Sequence, residues 1–144
     1  MKLYVKPVGP IGTNCYIVVD DSGKCAVIDP GAQAEKLLEF LQVHGFTPEY
    51  ILLTHGHYDH IGAVKAILGK YDGCKLAIGK NDAEQLSDVT KSLATSRMMQ
   101  EKDYLMTPDL LLTEGDQVTV GSLTFTVLDT PHPRTSFIIH AANG

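Results

Sequence analysis

Thr54-His55-Gly56-His57-Tyr58-Asp59-His60-Ile61-Gly62 places three of the chain's six histidines and one carboxylate within six positions. Imidazole nitrogen and carboxylate oxygen are the ligands that borderline cations such as zinc take in catalytic sites. These histidines stand two and then three residues apart, whereas a helix shows ligands on one face when they are four apart. The spacing therefore asks for an irregular turn, and the flanks provide one. Tyr50-Ile51-Leu52-Leu53 is a short apolar run that predicts a buried strand. Ile61 through Leu68 carries apolar residues at helical intervals, with Asp59 where an N-cap would sit. A ligand cluster at a strand-to-helix turn is where α/β proteins usually keep their chemistry. A lone histidine beside a strand is more often a satisfied core or surface residue, but four ligand-type side chains at one strand end outweigh that reading.

Working outward, residues 2–8, 15–20 and 24–29 predict strands, the last two joined by the turn Asp21-Ser22-Gly23. Val27-Ile28-Asp29-Pro30-Gly31 closes a buried strand ahead of a helix. That helix has the stripe Ala34, Leu37, Leu38 and Leu41, and Gly45 is placed to stop it. Taken on its own chemistry, Asp29 is a turn residue. Lys75-Leu76-Ala77-Ile78 predicts a strand, and Asn81-x-x-Glu84 resembles a capping box opening a helix with Ala83, Leu86 and Leu93 inward. Arg97-Met98-Met99 and Tyr104-Leu105-Met106 lie in a weakly periodic stretch. They read as fillers of irregular core gaps, with a wall over the metal site as the functional alternative. Gln117–Val120 and Leu123–Val127 flank the turn Gly121-Ser122, and Phe137–His140 predicts a last strand. The order β-β-β-α-β-α-β-α fits one half of a sandwich with sheet inside and helices outside.

The chain has 144 residues, 44% hydrophobic and 20% charged, which predicts one soluble domain with a substantial core. No apolar run approaches the roughly 18 to 20 residues of a membrane helix. The N-terminus alternates like a strand and lacks a signal peptide's apolar centre. Cys15, Cys25 and Cys74 form no C-x-x-C pair, so buried free thiols in a reducing cytoplasm are expected. A net charge of −5 argues against a nucleic-acid backbone as partner. The expected ligand is a small molecule.

With these residues in hand, Thr54-His55-x-His57-x-Asp59-His60 resembles the H-x-H-x-D-H signature of the metallo-β-lactamase superfamily. The surrounding chain is most similar to its hydroxyacylglutathione hydrolase (glyoxalase II) branch. Thr13-Asn14-Cys15-Tyr16, Val27-Ile28-Asp29-Pro30-Gly31, and Gly121-Ser122-Leu123 through Thr130-Pro131-His132 extend the likeness over nearly the whole chain. The resemblance implies an α/β fold, the αββα sandwich of that superfamily. Residues 1–144 would form a single, C-terminally truncated domain: the first sheet with its helices plus the start of the second half. It implies His55, His57, Asp59, His60 and His132 as metal ligands and Asp29 as a buried carboxylate behind them.

The pattern also departs from the family, which typically reads T-P-G-H-T-P-G-S where this chain reads Thr130-Pro131-His132-Pro133-Arg134-Thr135-Ser136. Both glycines are missing around His132. His44 and His140 are not expected to be ligands. Ala141-Ala142-Asn143-Gly144 carries a hairpin signal with no return strand. The bridging carboxylate and further histidine that the family places later are not in this sequence. Counting ligands, His55, His57 and His132 would hold one ion with an open position, and Asp59 with His60 a second only weakly.

The expected cofactor is zinc, one or two ions, with iron or manganese as the other candidates. The expected activity is hydrolysis of a thioester or related ester by metal-bound hydroxide, with Asp59 as the catalytic residue that orients the water or takes its proton. The alternative is a catalytically incomplete metal-binding fragment that works by pairing with another chain, a second copy included, through an exposed sheet face.

Overall fold

The structure, a computed structural model, describes residues 1–9, 12–54, 56, 58–87, 105–129 and 135–141, with residues 58 and 59 in backbone only. His55, His57, His132, Leu93 and Arg97-Met98-Met99 lie outside the described residues, as does the side chain of Asp59.

Strands β1 (Lys2–Val8), β2 (Thr13–Val19), β3 (Lys24–Ile28), β4 (Thr47–Leu53), β5 (Lys75–Gly79) and β6 (Leu110–Leu112) form one sheet in sequence order. The first three are antiparallel, and β3 through β6 run parallel. Helix α1 (Ala34–His44) makes the β3-to-β4 crossover, and α3 (Val64–Lys70) lies beside it before β5. Strands β7 (Gln117–Val120), β8 (Leu123–Asp129) and β9 (Thr135–Ala141) form a second, antiparallel sheet.

Strand periodicity distributes the core over two layers. Cys25 and Val27, Ile51 and Leu53, and Leu76 and Ile78 face α1 and α3, where they meet Leu37, Leu41, Val64 and Ile67. The alternate residues Ala26, Ile28, Leu52 and Ala77 face the second sheet and pack on Val118, Val120, Leu123, Phe125 and Val127. This is the helix–sheet–sheet part of the expected sandwich. On β1, Leu3 and Val5 pair with Val18 and Tyr16 and so share the face turned toward the second sheet. They are nevertheless 56% and 47% exposed, because the described residues of that sheet do not cover them.

The two sheets are clamped at one end by carboxylates. Asp20, buried at the end of β2, accepts hydrogen bonds from Ser22 N (2.9 Å), Ser22 Oγ (2.7 Å) and Lys24 N (3.0 Å) within its own hairpin. Its other oxygen accepts the N–H of Ser122, in the β7–β8 turn, at 3.0 Å. Glu49 accepts the neighbouring Gly121 N–H at 3.1 Å. A Cβ at Gly121 would fall 1.9 Å from Asp20 Oδ2, and Gly121 has φ +56°, so no other residue fits this turn without displacing the clamp.

The predicted elements differ from the observed ones in three places. The helix expected from Ile61 onward is broken into a single turn, α2 (Tyr58–Ile61), and α3. Gly62 and Ala63 separate them because their N–H groups donate to Gly31 and Pro30 (3.0 and 2.8 Å) instead of continuing the helix. Asp59 consequently lies inside the first turn and is not an N-cap. The helix expected after Asn81 is a 3₁₀ helix, Lys80–Leu86, with no side-chain cap; Leu86 is buried as expected and Ala83 packs partly against the core. Strand β6 was not predicted, being three residues long at the sheet edge. Met106 fills the margin of the helix-side core, as its soft side chain suggests.

Candidate metal centre

In a parallel sheet the strand ends that point the same way gather the loops that follow them. Here Asp29 follows β3, Thr54 follows β4 and Lys80 follows β5, all along one edge. Asp29, with φ +55°, donates its own N–H to Leu52 O on the neighbouring strand (3.2 Å). Its buried carboxylate then gathers the loop that follows β4. Oδ1 accepts Thr54 N–H at 2.9 Å, and Oδ2 accepts the Thr54 hydroxyl at 2.6 Å. Nδ1 of His60 lies 2.8 Å from the same Oδ2. With the Gly62 and Ala63 bonds to Gly31 and Pro30, the loops after β3 and β4 are joined along their length.

The loop is held from two other sides. Gly56 N–H donates to Oε1 of Gln85 on the 3₁₀ helix. Thr135 N–H, at the start of β9, donates to Thr54 O at 3.2 Å. Buried Thr135 also forms part of the wall of a cavity of about 60 Å³ between the sheets, with Gly79, Asp82, Thr113, Val127 and Asp129.

Of the five residues expected to ligate metal, His60 is the one whose side chain is described. No group of three or more His, Cys, Asp or Glu side chains suited to a metal occurs among the described residues. The chemistry present nonetheless fits a cation. A carboxylate on Nδ1 of an imidazole fixes the tautomer whose Nε2 carries the lone pair, which is how metal-binding histidines are commonly backed. Asp29 was expected behind the ligands, and its carboxylate lies against His60. His44 and His140 lie elsewhere. His44 ends α1 at the opposite edge of the sheet, with Nδ1 2.9 Å from Phe40 O, and His140 is exposed on β9.

The three thiols are held in the core. Cys15, Cys25 and Cys74 are free and buried. Burial pushes each up to about 12, with the Asp29 carboxylate adding to the effect at Cys15. Burial thus keeps them protonated and poorly nucleophilic at neutral pH. Sequence reasoning missed Gln85, Thr135 and the part played by Thr54. Thr54 was discoverable as the residue between strand and motif; the other two reach the loop only through tertiary packing.

The chain belongs to the metallo-beta-lactamase superfamily, which it matches over residues 8–139. It is 36% identical over 132 residues to the probable metallo-hydrolase YqgX of Bacillus subtilis (strain 168), covering 91% of this chain and 61% of that one. It is 31% identical over 129 residues to a hydroxyacylglutathione hydrolase of Xanthomonas campestris pv. campestris (strain B100), covering 90% and 42%. Among solved structures, the BLEG-1 B3 metallo-beta-lactamase superposes with a TM-score of 0.82 at 32% identity, over 99% of this chain and 68% of that one. TTHA1623 in a di-iron-bound form gives 0.76 at 31% identity, over 94% and 66%. The chain thus spans about three-fifths of the length of YqgX. No helix among the described residues is long and apolar enough to cross a membrane.

Proposed function

We propose that this chain carries the metal-binding part of a metal-dependent hydrolase acting on a thioester or related ester. His55, His57, Asp59, His60 and His132 would hold the metal, zinc by preference of the donor set, with iron or manganese as alternatives. When bound, the ion supplies Lewis acidity and brings the pKa of water down to about 7.

The remaining work falls to the chain. Asp29, 2.8 Å from Nδ1 of His60, favours the proton on that nitrogen and thereby leaves Nε2 for the cation. Thr54 saturates the other carboxylate positions, so that Asp29 cannot turn away. Asp59 accepts the proton released by the attacking water. The small-molecule substrate sits at the carboxyl edge of the parallel strands. The Asp29–Thr54–His60 contact carries this reading, and hydrolase relatives of the same superfamily support it. Acyl-thioester hydrolysis by the full chain, abolished by chelator and by His57→Ala, is the expected result. Turnover that ignores both would refute the reading.

A second reading is favoured by Leu3 and Val5, exposed on an inward-facing sheet surface, and by β9, which ends its sheet among the described residues. On this reading the surface takes another chain, a second copy included. A stable dimer in sedimentation analysis, with no metal-dependent turnover, would select it over the first.

A further inference from the structure

We infer that Gln85 is a positioning residue for the metal loop, setting the backbone between two of its ligands. The inference rests on the hydrolase reading only in taking His55 and His57 as ligands. Gly56 is covalently joined to both, so the orientation of its two peptide planes fixes where each histidine side chain begins. Strand β4 has ended at Leu53, and no ladder remains to hold this backbone. The buried Gly56 N–H is instead satisfied by the side-chain carbonyl of Gln85.

The contact is a seat as well as a bond. A Cβ added at Gly56 would lie 2.6 Å from Gln85 Cβ and 3.2 Å from Leu86 Cδ2, so the loop backbone rests directly on the 3₁₀ helix. That helix is itself anchored, because Leu86 is fully buried and its carbonyl accepts Met106 N–H at 2.7 Å. The Asp29–Thr54 contact fixes the loop before His55, and the Gly62 and Ala63 bonds fix it after His60. Among the described residues, Gln85 holds the backbone in between.

Cobalt(II) serves as probe, because its visible absorption reports ligand geometry independently of turnover. In the full chain, Gln85→Leu removes the acceptor and is expected to weaken Co²⁺ affinity about ten- to a hundredfold. It should also shift the visible band, while the thermal midpoint of the metal-free protein stays near that of the wild type. Gln85→Glu keeps an acceptor oxygen in place and should restore most of the affinity and the band. Unchanged affinity and spectrum in Gln85→Leu would overturn the inference, as would equal losses in the Leu and Glu variants. If Gln85→Leu does not fold, Gln85→Asn, with its acceptor withdrawn by one methylene, carries the same contrast. A wild type that binds no Co²⁺, or binds it equally well after His57→Ala, would overturn the metal reading itself and this inference with it.

Discussion

Two buried aspartates stand at opposite ends of β2 and β3, and their surroundings divide the molecule's tasks. Asp20 is ringed by hydroxyls and backbone N–H groups of two hairpin turns, groups with a single protonation state in the ordinary pH range. Asp29 also takes a backbone N–H and a hydroxyl, but its third neighbour is an imidazole, which can exchange protons and bind metal. The same carboxylate thus clamps two turns in one place and lies against a ligand-type side chain in the other. The neighbours' chemistry, rather than the depth of burial, decides which.

The comparison can be broken most forcefully at the clamp. Asp20→Ala removes the acceptor of several partly buried hydrogen bonds at once and should cost about 3 kcal/mol in denaturant unfolding, leaving Co²⁺ affinity unaltered. Gly121→Ala forces a methyl against Asp20 Oδ2 and should cost about 2–3 kcal/mol by the same measurement. Asp29→Asn is the converse. Its amide offers N–H to His60 Nδ1 and favours the wrong tautomer, so calorimetric metal affinity should fall ten- to a hundredfold, about 1.4–2.8 kcal/mol, with a smaller loss of stability.

Acid sharpens the contrast further. Burial alone would raise the Asp20 carboxyl, but hydrogen bonds from Ser22, Ser122 and Lys24 win and hold it at about 2, against 3.8 for the ordinary group. A depressed native pKa stabilises the fold above about pH 4, and the contribution disappears as pH falls through 2. Allowing for solvent near the turn, the loss should be on the order of 1–2 kcal/mol in acid unfolding of the metal-free protein, and Asp20→Asn should abolish it. The smallest effect concerns the thiols. With native thiols held near 12, a thiol reagent at neutral pH should label all three cysteines only as fast as the protein opens.

The alternation in β3, β4 and β5, the α1 stripe with Gly45 after it, and the Gly121-Ser122 hairpin could be read from the sequence because each depends on neighbours within a turn or a strand. The turn after β4 stood out as composition, through its crowd of ligand-type side chains at a strand end. What escaped was set by distant residues. The break at Gly62–Ala63 depends on carbonyls of Pro30 and Gly31, the clamp joins Asp20 to Ser122, and Gln85 reaches Gly56 from the far side of β5. Helical periodicity through Ile61–Leu68 is real, yet two hydrogen bonds to another loop override it.

The left-handed backbone of Asp29 has a consequence of its own. A residue with a Cβ held there costs on the order of 1 kcal/mol relative to glycine, though aspartate tolerates it better than most. The chain keeps a carboxylate at a point where bare torsional preference would choose no side chain at all. That small standing tension is set against the contacts Asp29 makes with Thr54 and His60, so the grip on the loop after β4 and the ease of the backbone pull in opposite directions.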